Sequence, residues 1–206
     1  MRNHLQFKPD DGNWAHVLKE IVRSDIQIAM VLTGGGSEVI TRCLGRSGAS
    51  LNFVEAVVPY SRLATQHYLG GKPEAGYATR STATELAQIA YTRATRFSEK
   101  QGNSFGIALT AALPTTSGVL ETGTLQECCV HVASRSSEGL RSWSLSFQGH
   151  GDERSTAEQI ANQMFLIALQ DSLQRTGLDL ALGLERPLQN ATLSLTSEEH
   201  GINSEG

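Results

Sequence analysis

The sequence predicts an α/β fold, a three-layer α/β/α sandwich with a mixed central sheet. Short apolar runs alternate with stretches of helical periodicity, which is typical of strands joined by helices. A glycine-rich turn at residues 33–37 separates the first of these strands from the next helix. Two later strand patterns flank a short polar turn and predict an antiparallel hairpin, so strand direction in the sheet should be mixed.

The first half of the chain reads as helix, strand, helix and strand. Residues 13–23 place apolar side chains at helical spacing and predict an amphipathic helix. Residues 26–32 are a short apolar run that predicts a strand ending at the glycine turn, and helical periodicity resumes at residues 39–44. Residues 53–58 are mostly apolar and rich in β-branched side chains, and Pro59 follows them, which favours a second strand.

The second half adds two helices, a strand and the hairpin. A long helix is predicted to reach Phe97 from a hydroxyl cap at Thr79, Ser81 or Thr82. The remaining elements are a strand at 104–109 that ends at a turn beginning with Thr110, hairpin strands at 130–134 and 143–147, and a helix at 156–175.

Composition indicates one folded domain over residues 1–206. Hydrophobic residues make up 39% of the chain and charged residues 18%, which is enough apolar material for a core without a large excess of charge. The polar stretches 1–10 and 196–206 are expected to be flexible.

Several partners and sites are excluded by the same composition. A net charge of -4 without a basic stripe argues against nucleic acid. No apolar run approaches the roughly 20 residues that span a bilayer, and the N-terminal segment lacks an apolar signal core, so we expect a cytoplasmic protein without membrane contact. Cys128 and Cys129 should point to opposite faces of a strand, so a disulfide framework is not predicted. His131 near Cys129 has no CxxC or HxxxH companion elsewhere, so a metal site is not predicted either.

Polar residues follow three of the predicted strands. Thr33, with Gly34 and Gly35, begins the glycine turn, Tyr60-Ser61 follows the second strand, and Thr110 follows the strand at 104–109. The carboxyl ends of neighbouring parallel strands are the usual place for ligands in open α/β sheets, so these residues are expected to meet and line a pocket. Serine and threonine also close turns and cap helices, and that simpler role remains open for each of them.

Neither a phosphate loop nor a catalytic triad is predicted. The glycine turn has no lysine after it and does not match GxGxxG. His67 and His131 are the central histidines, and no serine lies in a GxSxG turn, so a Ser-His-Asp hydrolase is not supported.

Several short segments, taken together and in order between about residues 26 and 173, resemble the C-terminal domain of the CinA (competence/damage-inducible) family. They are Leu32-Thr33-Gly34-Gly35, Phe53 with Val57-Val58 and Tyr60-Ser61, Leu69-Gly70, Gly76 with Thr79, Thr110-Ala111-Ala112 with Pro114, and Gly151-Asp152. The resemblance implies a three-layer fold, a homo-oligomer, no cofactor, and relation to enzymes that deamidate nicotinamide mononucleotide.

The chain departs from that family at the residues that would perform the reaction. The family's serine nucleophile falls on Val31 and its lysine on Thr65, while Tyr60 and Thr110 retain the family's residue types. Valine has no nucleophilic atom, and threonine supplies neither a cation nor a base.

Three neighbouring positions also differ from the family's residues. Met30 replaces the family's glutamate, and Ala111 and Leu113 replace glycines. Three hypotheses follow: a CinA-like protein without catalysis that binds a nucleotide such as nicotinamide mononucleotide or serves in assembly, an active amidohydrolase with a rearranged site, and an unrelated hydrolase. Ser37 is the candidate nucleophile for a rearranged site, but the first hypothesis predicts that its hydroxyl faces solvent or caps its own helix.

Overall fold

The computed structural model describes residues 11–100, 103–115, 126–150, 153–177 and 192–198. In chain order, the elements are α1 (Asp11–Arg23), β1 (Gln27–Thr33), α2 (Glu38–Leu44), a 3-10 turn (Ala49–Leu51), β2 (Phe53–Val57), α3 (Arg62–Leu69), α4 (Arg80–Phe97), β3 (Ser104–Ala112), β4 (Gln126–Ser136), β5 (Gly139–Gly149), α5 (Arg154–Gln174) and β6 (Thr192–Glu198).

The six described strands form one mixed sheet in the order β2-β1-β3-β4-β5-β6. β1 lies parallel to both β2 and β3, whereas β3, β4, β5 and β6 are antiparallel to their successive neighbours. The predicted hairpin is β4–β5. The α/β class and the mixed strand direction are confirmed.

Helices cover both faces of the sheet, and the two faces pack differently. On one face, α5 lies against β3, β4 and β5, with α1 and α2 beside it. Large side chains such as Met30, Ile107 and Phe165 fill this core. On the other face, α4 crosses β1, β3 and β4, with α3 packed beside it.

The α4 face is built from small residues. Its core consists mainly of alanines from α4 together with Ala29, Val31 and Ala108 of the sheet. A Cβ atom added to Gly106 would lie 2.0 Å from the backbone nitrogen of Tyr91, so the helix backbone rests almost directly on β3. Only glycine permits this approach.

The structure corrects the predictions for four elements, of which one was missed and three were predicted too short. α3 was not predicted, because Thr65 is its one buried residue and the segment therefore lacks an apolar stripe. β3 does not end at Thr110: pairing with β4 continues through Ala112 and Cys129, so Thr110 lies in a strand and not in a turn. β4 and β5 are eleven residues each, longer than predicted, because polar residues continue their ladder.

The predictions for the chain ends and the cysteines have mixed outcomes. Residues 1–10 and 199–206 lie outside the described residues, as do Gly151-Asp152. Residues 196–198, expected to be flexible, belong to β6, whose backbone pairs with β5. Cys128 belongs to the core on the α5 face, whereas the Cys129 thiol approaches the carbonyl of Ala78 on the α4 face, as predicted for neighbours in a strand. No helix within the described ranges is long and apolar enough to cross a membrane.

Candidate functional site

The carboxyl ends of β1, β2 and β3 lie together, as predicted. Thr33 and Thr110 are direct partners across the β1–β3 pair. The hydroxyl of Thr33 donates to the carbonyl of Pro59, 3.2 Å away, which brings the residues after β2 to the same place. Tyr60-Ser61 follow Pro59 directly, with 70% of Tyr60 exposed to solvent.

The hydroxyls at this end bond to the protein's own backbone. Thr110 Oγ1 donates to Tyr77 O at 2.6 Å, and Thr65 Oγ1 donates to Pro59 O at 2.7 Å. Ser61 Oγ accepts the amide of Ala64 at 3.1 Å and caps α3. These contacts support the simpler role, in which hydroxyls close turns and cap helices.

The two positions at which the resemblance places a nucleophile and a lysine are both interior. Val31 has no exposed surface, and its side chain belongs to the small-residue core under α4. Thr65 is 2% exposed, and its hydroxyl also donates to Ser61 O at 3.1 Å, which completes the first turn of α3. Met30 lies on the opposite face of β1 within the larger core.

The glycine turn is pressed against the end of β3. Gly34 has a φ of 78°, and a Cβ atom there would lie 2.0 Å from the carbonyl oxygen of Ala111. A Cβ atom on Gly35 would lie 2.7 Å from a methyl group of Leu113. Ala111 and Leu113 therefore occupy space beside the turn.

A carboxylate from α5 occupies the amide groups of the same turn. Glu158 Oε2 accepts from the backbone amides of Gly36 and Ser37, at 2.8 and 3.1 Å. Arg154 forms an ion pair with Glu158 at 3.0 Å, and it also donates to the carbonyl of Gly34 at 3.3 Å. Arg154 and Glu158 thus clamp α5 to the glycine turn.

The prediction for Ser37 is only partly right. Ser37 is exposed, but its side chain makes no capping bond to α2. Its hydroxyl lies 3.4 Å from Glu158 Oε2. The carboxylate that it contacts is held by two backbone amides and an arginine.

Sequence reasoning missed this clamp. Arg154 and Glu158 stand at the i,i+4 spacing of a helical ion pair, which is a local signal. Their contact with the turn joins residues more than a hundred positions apart, and no local pattern specifies it.

A polar row crosses the sheet on the α4 face beside this site. Thr33 pairs with Thr110, Thr110 with His131, and His131 with Ser144, so four neighbouring strands contribute one residue each. His131 Nδ1 lies 2.8 Å from Ser144 Oγ. Burial, together with the positive charge of Arg80, lowers the pKa of His131 below its ordinary value and favours the neutral imidazole.

Ser144 was not a sequence candidate. Ser142, Ser144 and Ser146 alternate along β5 and so share one face of the sheet, which is a visible signal. Pairing Ser144 with His131 requires the register of the hairpin, which depends on its turn at 137–138.

No cluster of three metal-ligating side chains occurs in the described ranges. Burial raises the pKa of Cys43 to about 12 and that of Cys128 to about 11, so both thiols stay protonated near neutral pH. An open depression of about 380 Å³ lies between the end of α3 and the start of α4 and is lined by residues 69–75 with Ser81 and Glu85.

Comparison with known proteins adds a structural likeness. No family model and no curated protein matches the sequence. A competence-damaged protein (CinA) superfamily protein from Escherichia coli superposes with a TM-score of 0.58 at 16% identity, over 81% of this chain and 94% of that chain. The competence damage-inducible protein A (ComA) from Klebsiella pneumoniae gives 0.57 at 16% identity, over 79% and 96%.

The chain has the CinA fold. A third structure, the competence/damage inducible protein CihA from Agrobacterium tumefaciens, has a TM-score of 0.50 at 17% identity, over 84% of this chain and 97% of that chain. In this chain, the carboxyl ends of β1 and β3 lie at one end of the sheet with the glycine turn and the segment before α4. The likeness confirms the predicted architecture, and at these identities it concerns fold alone.

Proposed function

We propose that this protein is a CinA-fold protein that does not deamidate nicotinamide mononucleotide and serves a non-catalytic role in assembly. The observation that carries the proposal is the interior position of Val31 and Thr65, where the resemblance places a serine nucleophile and a lysine. A fully buried valine removes the covalent step, and a threonine bonded to two backbone carbonyls offers no base.

The glycine turn supports assembly over nucleotide binding. A nucleotide phosphate seeking the amides of Gly36 and Ser37 would have to displace the Glu158 carboxylate. It would also have to separate Glu158 from Arg154, to which it is ion-paired. Both changes cost free energy before any contact with the nucleotide is made.

The test is release of ammonia from nicotinamide mononucleotide, measured beside an active CinA-type amidohydrolase at equal concentration. We expect no release above that of a Tyr60→Phe, Thr110→Val double variant purified in the same way, which controls for contaminating enzyme. Turnover in the wild type that disappears in the double variant would overturn the proposal. Binding of the same nucleotide, measured by calorimetry, tests the ligand set Thr33, Gly34, Gly35, Tyr60, Ser61 and Thr110.

Restoring the family residues should not restore the reaction directly. Val31→Ser would place a hydroxyl in the closed α4 core, and Thr65→Lys would bury an ammonium group at a position that is 2% exposed. We therefore expect the double variant Val31→Ser, Thr65→Lys to be less stable than the wild type and inactive. Activity in this variant would mean that the two substitutions alone account for the loss.

A second candidate function, a hydrolase with a rearranged site, is favoured by the contact between His131 and Ser144. The neutral imidazole could accept the Ser144 proton at Nδ1 while Oγ attacks a carbonyl carbon, as in serine-histidine acyl transfer. The matched control is Ser146, which is exposed and lies on the same face of β5.

A fluorophosphonate probe distinguishes this candidate from the first. Labelling that is lost in Ser144→Ala and in His131→Gln, and kept in Ser146→Ala, would establish a reactive serine and refute the non-catalytic role. Absence of labelling in the wild type would make the pair a cross-strand structural contact.

A further inference from the structure

The large apolar side chains that are exposed in the described part of the chain border one edge of the sheet. They are Leu44, Leu51, Val58, Tyr60, Leu63 and Phe97, with exposed fractions from 41% to 75%. Leu51 lies two residues before the start of β2 and Val58 directly follows it, while α2 and α4 pack against β2. Concentration of exposed apolar groups in one region is typical of an interaction surface.

β2 itself is open along one side. In the described sheet it has a single neighbour, β1, so its outer backbone groups have no strand partner there. Edge strands usually carry lysine, proline or unpaired charge that prevents further pairing. The strand Phe53–Val57 has one charged residue, Glu55, and that carboxylate is bound by both nitrogens of the Arg93 guanidinium fork.

The apolar groups form two sets at opposite ends of β2. Leu51 lies at the amino end, and Lys100 donates to its carbonyl at 3.0 Å, which places the end of α4 and Phe97 near the same end. Val58, Tyr60 and Leu63 follow the carboxyl end. An antiparallel neighbour would bring the first set of one molecule against the second set of the other.

The charges suit a second copy of this chain. Glu55 is the middle residue of β2, so a two-fold axis through the strand pair would bring the two Glu55–Arg93 pairs close together. The Glu55 carboxylate of each copy would then lie near the Arg93 guanidinium of the other, so that opposite charges would alternate around the axis. A two-fold contact of this kind uses the same surface on both molecules.

We propose that the β2 edge, with these two apolar sets, is a self-association surface on which a second copy pairs antiparallel to β2. The inference rests on the proposed assembly role and deepens it, because it names the partner and the surface. It joins two sheets into one through backbone hydrogen bonds, with apolar contacts at both ends of the strand pair.

The test is the mass of the full-length protein in solution across a concentration series, by light scattering after size exclusion and by sedimentation. We expect twice the 22.2 kDa chain mass, and at least a tenfold weaker dimer for Leu63→Glu and for Leu51→Glu. Gln148→Glu, at an exposed position of β5, is the matched control for added charge and should leave the dimer unchanged.

Cross-linking tests the antiparallel direction. In a Cys129→Ser background, a mixture of Leu51→Cys and Val58→Cys chains treated with a short bismaleimide should give more mixed dimers than like dimers. A preference for like dimers would overturn the antiparallel arrangement.

Two results would overturn the surface itself. One is a monomer at all concentrations. If the β2 amides of that monomer are also protected from hydrogen exchange, the chain covers its own edge. The other is a dimer that both glutamate variants leave intact. Either result can occur without ammonia release, whereas failure of the proposed function appears as ammonia release whatever the mass.

Discussion

Replacing Glu158 by alanine should lower the free energy of unfolding by about 2–3 kcal/mol, because two backbone amides and Arg154 lose the same carboxylate. The bonds to Gly36 N and Ser37 N are 2.8 and 3.1 Å long, and the Glu158 side chain is 20% exposed. A hydrogen bond to a charged acceptor contributes roughly 1.5–3 kcal/mol, and solvent beside Ser37 reduces the sum of the two. The Arg154 pair adds only about 0.3–0.5 kcal/mol, as exposed i,i+4 pairs do.

Urea unfolding followed by circular dichroism measures this change, and calorimetry should show the melting temperature fall by about 4–10 °C for a chain of this length. Glu158→Gln keeps an oxygen acceptor without the charge, so it should lower the free energy of unfolding by about half as much as Glu158→Ala. Glu85→Ala is the matched control, because Glu85 is exposed and accepts a hydrogen bond from the Ser81 side chain. If Glu158→Ala costs no more than Glu85→Ala, the carboxylate does not hold the turn.

Three further changes probe other parts of the structure. Gly106→Ala should lower the free energy of unfolding, measured in urea, by about 3 kcal/mol or more, because its Cβ atom would lie 2.0 Å from Tyr91 N. A variant as stable as the wild type would refute the close approach of α4 to β3. His131 has a lowered pKa in the folded state, so the unfolded chain takes up its proton first as pH falls through about 6.5, and stability should decline below that pH. His131→Gln should remove this part of the decline between pH 8 and 5.5, whereas parallel stability curves would contradict it. Asp171→Ala should cost about 3 kcal/mol, because it leaves the 3% exposed side chain of Arg175 without its nearest buried carboxylate, and the urea midpoint measures the loss.

The sequence was most informative where a single element carries its own pattern. α1, β1, α4 and α5 have apolar spacing or continuous apolar runs, and their positions were predicted closely. α3 lacks such a stripe because it lies on the surface with one buried residue, and it was missed. β3 was predicted too short at its carboxyl end, and β4 and β5 at both ends, because backbone pairing, which polar residues support equally well, decides where a strand begins and ends.

The site was predictable only to the level of strand ends. Parallel neighbours must finish at one edge, so the meeting of Thr33 and Thr110 with the segment after β2 followed from element order. The hydrogen-bond acceptor of each hydroxyl could not be predicted from element order. The acceptors are carbonyls of Pro59 and Tyr77, whose positions depend on loops, and the partner of the glycine turn comes from α5 at the other end of the sequence.

The two faces of the sheet should tolerate apolar substitutions to different extents, because they are packed differently. Under α4, residues such as Ala87, Ala90 and Gly106 are already near the minimum size, so few neighbours can shrink to admit a larger side chain. On the α5 face, Met30 and Phe165 belong to a core in which one side chain can enlarge while another contracts. A saturation mutagenesis screen should therefore find many acceptable apolar combinations on the α5 face, while the α4 contact accepts almost none.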